Sequence, residues 1–223
     1  MVDFDLKLIE GWGPAIWGMR HPLQSYDKSD SGYIGEQEDF FMGEADYDLA
    51  KRLCMAGSDE HAKFLRMIQV WVDVTAPVFF FSEFDTYKVG TTANSQSTMH
   101  TLSKTGVTEP DIQIPWGVDQ DIDMVMVNYI DAINNLVNYR YKNCEDKELK
   151  KKYFEYLKGM LPSGWRQTRM VNLNYQVLRT MYRQRKNHRL SGWSEDFVNF
   201  VHTLPFSEFI TGEWPEEKTL TEE

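Results

Sequence analysis

Acidic residues are missing from the whole stretch between Tyr156 and Ser194, although the chain carries 34 of them and a formal charge of -10. In an acidic protein such a segment is where positive charge gathers to meet an anion. Cysteine is scarce as well. Cys54 and Cys144 lie far apart, forming neither a CxxC pair nor a disulfide framework, which fits a reducing compartment and offers no zinc-ligand spacing. No apolar run approaches the ~18–20 residues of a bilayer span. No basic-then-apolar leader opens the chain. The expectation is therefore a cytoplasmic protein with no membrane and no metal. A pI near 5.0 argues against bulk electrostatic binding, so nucleic acid is not an expected partner. Internal repeats and low-complexity tracts are absent too.

What the chain has in excess is aromatic residues, at 14%, beside an ordinary 42% hydrophobic and 26% charged content. That profile suits a globular chain with a well-filled core, aromatic ligand surfaces, or both. The 223 residues divide by composition into 1–45, 46–212 and 213–223. The first part reads as a strand near Asp5 to Glu10 followed by an ordered loop. Within it, Gly18 to Pro22 and Asp27 to Ser31 are either structural Asx-type turns or a ligand loop. The last part is an acidic tail beyond Pro215.

Between them, Asp46 to Met55 reads as an amphipathic helix stopped at Gly57. Phe64 to Val74 alternates and is β-branched, which favours a strand, with helix as the competitor. Ala76 to Tyr87 suits a buried helix with Pro77 in its first turn. Gly90 to Ser97 reads as a polar loop. Asp119 to Tyr141 has the strongest helical pattern, with Ile122, Val125, Met126, Tyr129, Ile130, Ile133, Leu136 and Val137 on one stripe. Glu145 to Leu157 supplies another helix, broken over Gly159 to Ser163. A short strand over Gln167 to Asn172 then leads into the basic segment, and Ser194 is placed as the N-cap of a last helix ending before Pro205.

In the basic segment, Arg166, Arg169, Arg179, Arg183, Arg185 and Arg189 stand with Lys186. A helix starting near Asn174 puts Val177, Leu178, Met181, Arg185 and His188 on one stripe, turning Arg185 inward. Arg179, Arg183 and Lys186 fall on the other side, expected as a solvated face. An inward guanidinium needs an internal carboxylate or a bound anion, and both readings stay open for Arg185.

Three segments, in order, resemble the flavin-dependent thymidylate synthases. Glu60-His61-Ala-Lys-Phe64 is similar to the family's Glu-His-x-x-Phe strand entry. Tyr87 to Met99 aligns with the signature Arg-His-Arg-x-x-Ser-x-Asn-x-x-Ser-x-Arg through Thr92, Asn94 and Ser97. Leu161-Pro162, Leu173-Asn174-Tyr-Gln176-Val-Leu178 and Arg185 follow the family's Leu-Pro, Leu-Asn-Ala-Arg-x-Leu and helix-terminal Arg at the same internal spacing. The resemblance covers about a third of the chain.

It implies an α+β fold over 46–212, a central and mainly antiparallel sheet covered by helices, and a homotetramer with sites built from several subunits. It implies a dUMP-like nucleotide ligand and one-carbon or redox chemistry with FAD, reduced nicotinamide and folate. His61, Lys88, Thr92 and Asn94 take cofactor positions, with His61 against the flavin. Ser97, Gln176 and Arg185 take substrate positions, Arg185 on the phosphate and Gln176 on the base. No catalytic residue is assigned, because in the family the flavin carries the redox step.

Four family guanidinium groups are replaced here, by Tyr87, Val89, Met99 and Gln176, and none of these copies a charge-assisted fork. Arg20, Lys28 and Lys88 are the candidate substitutes. The alternative function is a non-catalytic nucleotide-binding or sequestering protein on the same scaffold.

Overall fold

The structure, a computed structural model, describes residues 1–35 and 39–215. The acidic tail beyond Pro215 lies outside the described residues. The chain is α+β: an antiparallel sheet in the order β1-β4-β6-β5, flanked by helices, as the resemblance implies. Its strands are β1 (Asp3–Glu10), β4 (Gln69–Pro77), β5 (Thr91–Ser95) and β6 (Arg166–Asn174). A separate ribbon pairs β2 (Gly32–Ile34) antiparallel with β3 (Asp39–Phe41).

The residues divide into two compact units. One comprises Met1–Val2, Val74–Thr86 and Asn94–Arg169, and the other Asp3–Asp73, Tyr87–Ala93 and the residues from Met170 on. In the first unit, α3 (Val78–Phe84), α4 (Thr98–Thr105), α5 (Gln120–Asn135) and α6 (Lys147–Gly159) form a helical layer. Its core gathers Leu102, Ile112, Ile130, Ile133, Val137 and Leu157. Asp119 and Asp146 start the two long helices there, each carboxylate accepting two backbone N–H bonds. The residues after α5, Leu136–Tyr141, continue as a π-helical turn.

The second unit holds α1 (Trp12–Arg20), α2 (Glu44–Met55), α7 (Tyr175–Arg185), α8 (Val198–Thr203) and α9 (Glu208–Thr211) around Trp193, Tyr175, Phe209, Ile16 and Leu65. Here α2 begins at Gly43, which has no side chain to cap with. Asp30 caps it instead, accepting from Ala45 N at 2.9 Å and Asp46 N at 3.1 Å. A Cβ on Gly43 would sit 2.1 Å from Asp30 Cγ, so the carboxylate fits only because residue 43 is glycine.

Several expectations are corrected. Residues 12–20 are a helix, not a loop. Pro14 lies in the first turn, where a missing N–H costs nothing, and Trp12, Ala15, Ile16 and Met19 form the buried stripe. The strand expected over Phe64 to Val74 starts at Gln69, after a 3-10 turn at Lys63–Arg66; from there Val70, Val72, Val74 and Ala76 alternate inward as expected. Gly90 to Ser97 contains β5, an edge strand whose polar residues carry no alternation to reveal it. Ser194 lies inside a helical run, its hydroxyl bonded to Leu190 O rather than capping. Ile122 and Val125 are exposed, not part of the buried stripe of α5.

Candidate functional site

The sequence sets the start of α7 with one residue: Asn174 Oδ1 accepts from Val177 N at 3.0 Å. From there α7 is covered on three sides, with Tyr175, Gln176, Leu178, Arg179, Met181 and Tyr182 all buried. The deepest arginine of α7 is Arg179, expected on a solvated face and found 5% exposed. It donates to Phe209 O at 2.9 Å and Cys54 O at 2.7 Å, with Asp59 3.8 Å from its Nε. Helices α2 and α9 cover the side that the single-stripe reading left to solvent. Burial pushes the Cys54 thiol up to about 11 despite the neighbouring Arg179, so Cys54 stays protonated and is no nucleophile.

Arg185, at the end of α7, is half-buried and aromatic-flanked. Its Nε donates to Tyr87 Oη at 2.9 Å, and that hydroxyl donates to Gln184 Oε1 at 2.8 Å. The guanidinium lies 5.7 Å from the Tyr87 ring and 5.3 Å from the Trp193 ring. His188 packs edge-on to Trp193. Tyr87 thus orients Arg185, a role that no sequence signal announced. Stacking and a hydrogen bond hold the plane of the guanidinium.

Gln176 is 7% exposed, and its Oε1 has no hydrogen-bond partner among the described residues. A desolvated acceptor of this kind costs about 1–3 kcal/mol unless a donor meets it. Nine residues at 3.6 per turn set Gln176 and Arg185 about 180° apart around α7. The two residues therefore project from opposite sides of α7.

His61 is exposed at the edge of a cavity of about 500 Å³ in the same unit. Met19, Leu53, Phe64 and Met67 form its apolar lining, and Glu60, Lys63 and Arg66 add charge. Such a hollow suits a flat apolar ring with a polar edge. Lys88 and Thr92 are exposed in this unit, and Asn94 and Ser97 are exposed in the other. Asn174 closes over the turn before Thr92: a Cβ on Gly90, at φ +78°, would meet Asn174 Nδ2 at 2.8 Å.

Arg20 is not a substitute ligand cation. It is 4% exposed and its Nε and Nη2 both lie 2.7 Å from Asp46 Oδ1, while Nη2 also donates to Lys28 O at 3.0 Å. Ser29 Oγ, Asp30 N and Ser31 N converge on Asp46 Oδ2 at 2.8, 3.0 and 3.1 Å. The Asp27 to Ser31 segment is thereby a structural clasp. No group of His, Cys, Asp and Glu among the described residues is arranged to hold a metal ion. No described helix is long and apolar enough to cross a membrane.

No protein-family model matches the sequence, and no curated protein matches it. Solved structures do match, along nearly the whole chain. Thymidylate synthase X (ThyX) from Helicobacter pylori with FAD and dUMP is 15% identical, with a TM-score of 0.67 over 96% of this chain and 98% of that one. A second structure of it, complexed with FAD and dUMP, gives 0.64 at 14% identity over 95% and 98%. The UMP/dUMP methylase PolB from Streptomyces cacaoi, bound with 5-Br dUMP, gives 0.57 at 12% identity over 91% and 89%. At such identities the likeness is one of fold, and the fold of this chain is that of the flavin-dependent thymidylate synthases.

Proposed function

We propose that this chain is a divergent protein of the flavin-dependent thymidylate synthase type that binds a dUMP-like pyrimidine nucleotide. What carries this reading is the seat of Arg185, whose guanidinium is oriented by Tyr87 and Trp193. A guanidinium is a planar fork whose N–H groups a phosphate accepts in pairs. The nucleotide complexes of the structural neighbours support the ligand class. Gln176 offers a buried amide for the edge of a base. It projects from the face of α7 opposite Arg185. That agrees with the shared sites the resemblance implies.

The residues in place of the Arg-His-Arg triplet do not fit a flavin pyrophosphate. The Tyr87 hydroxyl is engaged by Gln184 and Arg185, Val89 is apolar and 91% exposed, and only Lys88 brings a charge. FAD is thus expected to bind more weakly than in an ordinary family member, and no chemical step is derived through it. The same observation favours a second reading, a protein that binds or sequesters the nucleotide without transforming it.

Calorimetric titration of the purified protein with dUMP and UMP tests the binding. Arg185→Leu should weaken it roughly 10- to 150-fold, the loss of one charged contact, with the melting temperature kept. Unchanged affinity with a collapsed melting temperature would mean that Arg185 is a structural residue and the site is misplaced. Flavin absorbance of the native protein, with an FAD titration, divides the two readings: a tight stoichiometric flavin complex favours chemistry on the base, and nucleotide binding without flavin favours sequestration.

A further inference from the structure

After α9 the chain turns at Gly212 and stays against its own unit. Glu213 N donates to Thr211 Oγ1 at 3.1 Å, and the next ring, Trp214, packs on Phe209 at 5.8 Å and lies 5.9 Å from the Lys51 ammonium of α2. The Glu213 carboxylate is divided between two helices. Its Oε1 accepts from Tyr182 Oη of α7 at 2.7 Å, and its Oε2 lies 3.9 Å from His202 Nε2 of α8. The Tyr182 hydroxyl is also 3.5 Å from that nitrogen, and the two rings meet edge to face. A phenol, an imidazole and a carboxylate therefore converge where this strap crosses α7 and α8.

The three groups do not respond to pH alike. Burial, and then the bond to Glu213, push the Tyr182 hydroxyl up to about 12, so it stays a donor from acid to mildly alkaline pH. Imidazole is the side chain that changes charge between about pH 5 and 8. Protonated, His202 turns an N–H and a positive charge toward Glu213 Oε2. Neutral with its proton on Nδ1, it turns a lone pair toward the carboxylate and competes for the Tyr182 proton.

The surrounding charges leave this pairing in place. On α7, Arg179 and Arg183 face Asp59, and Arg185 faces Tyr87 and Trp193. Glu208 of α9 accepts from Tyr47. Glu195 and Asp196, in the helical turn before α8, add negative charge that favours the protonated imidazole. Against it stands Lys186, 5.4 Å from the Tyr182 ring.

We propose that the Gly212–Trp214 strap is a pH-sensitive latch on α7 and α8, drawn tight when His202 is protonated and loosened when it is neutral. Its added stability is present below the value of an unfolded imidazole, near 6.5, and fades as pH rises past it. The latch stands independently of the nucleotide reading, since no residue assigned to ligand takes part in it. Because the His202 and Glu213 side chains are 43% and 55% exposed, water screens the pair and the effect is modest.

Hydrogen exchange on the full chain tests it, read by mass spectrometry on peptides covering Thr211 to Trp214 at about pH 5.5 and pH 8 and corrected for intrinsic rates, with peptides of α5 as the internal reference. Protection of the strap should be roughly two- to five-fold higher at the acid pH. His202→Gln, which keeps a donor but cannot titrate, should give equal protection at both, and Glu213→Gln should do the same from the other side of the pair. Equal protection at both pH values in the unaltered protein, or a pH response that survives in either variant, overturns the latch.

Discussion

Replacing Asp46 with Asn removes the charge at the centre of the clasp between α1, α2 and the Asp27 to Ser31 segment while keeping the shape of the side chain. Asp46 is fully buried and five donors converge on it: two from Arg20 on Oδ1, and Ser29 Oγ, Asp30 N and Ser31 N on Oδ2. An amide in its place must turn its NH2 toward one of these two sets and leave those donors unanswered. Removing one partner of a buried ion pair costs about 3–5 kcal/mol, because the other charge stays buried. For a chain of this size each kcal/mol moves the melting temperature by about 2–4 °C, so the loss should be roughly 6–20 °C. Thermal melts by circular dichroism read it directly.

Acid adds an independent readout. Burial by itself would raise the Asp46 carboxyl, but hydrogen bonds from Ser29, Ser31 and Arg20 outweigh it and hold the group below its ordinary value. With the folded value below the unfolded one near 3.9, this stabilisation is present above about pH 4 and is lost as pH falls through the folded value. Asp46→Asn should flatten that part of the stability curve. A shift under about 1 kcal/mol, or an unaltered acid limb, would refute the clasp as a source of stability.

Gly43→Ala should displace Asp30 from the start of α2 and cost about 1 kcal/mol or more, read as lost stability in urea titrations. Arg179→Met should leave the Cys54 and Phe209 carbonyls without their donor and lower stability by roughly 2–5 kcal/mol, whereas nucleotide affinity in the surviving folded fraction should not change. Cys54, with its thiol pushed up to about 11 by burial, should resist alkylation at mildly alkaline pH until the protein unfolds, as mass spectrometry of the labelled peptides would show.

The helices that announce themselves by periodicity, α2, α5, α6 and α7, were legible in the sequence to within a few residues. Asn174 marked the turn from β6 into α7 because a capping side chain is a local event. What escaped had no local signature. The first helix hides behind Gly13, Pro14 and Gly18, and β5 is polar because it is an edge strand. Arg179 could be placed only after α2 and α9 were known to cover its side of α7, since a single helix does not say how many faces its neighbours occupy. The clasp was half visible: the Asp and Ser cluster suggested turns, but that Asp30 caps a helix begun by Gly43 depends on residues far from each other in sequence. For the candidate site, the sequence named Arg185 and Gln176, and their nine-residue spacing on one helix already sets them on opposite sides of α7; what it did not name was Tyr87 as the residue that orients Arg185.

The buried guanidinium of Arg179 also bears on when this protein can fold. It ties Cys54, early in the chain, to Phe209, near its end, and Tyr175 adds a hydroxyl bond to Pro205 O. Trp12 lies against Tyr175 and Phe206, so the first helix also waits for these later residues. A ribosome that has released only the first two hundred residues has therefore produced a chain whose earliest segment still lacks its interior. This unit cannot close before Phe209 has been made, and until then its aromatic residues are open to chaperones and proteases. A truncation near Pro205 would be felt first at the other end of the sequence, in the packing of Trp12 and Cys54.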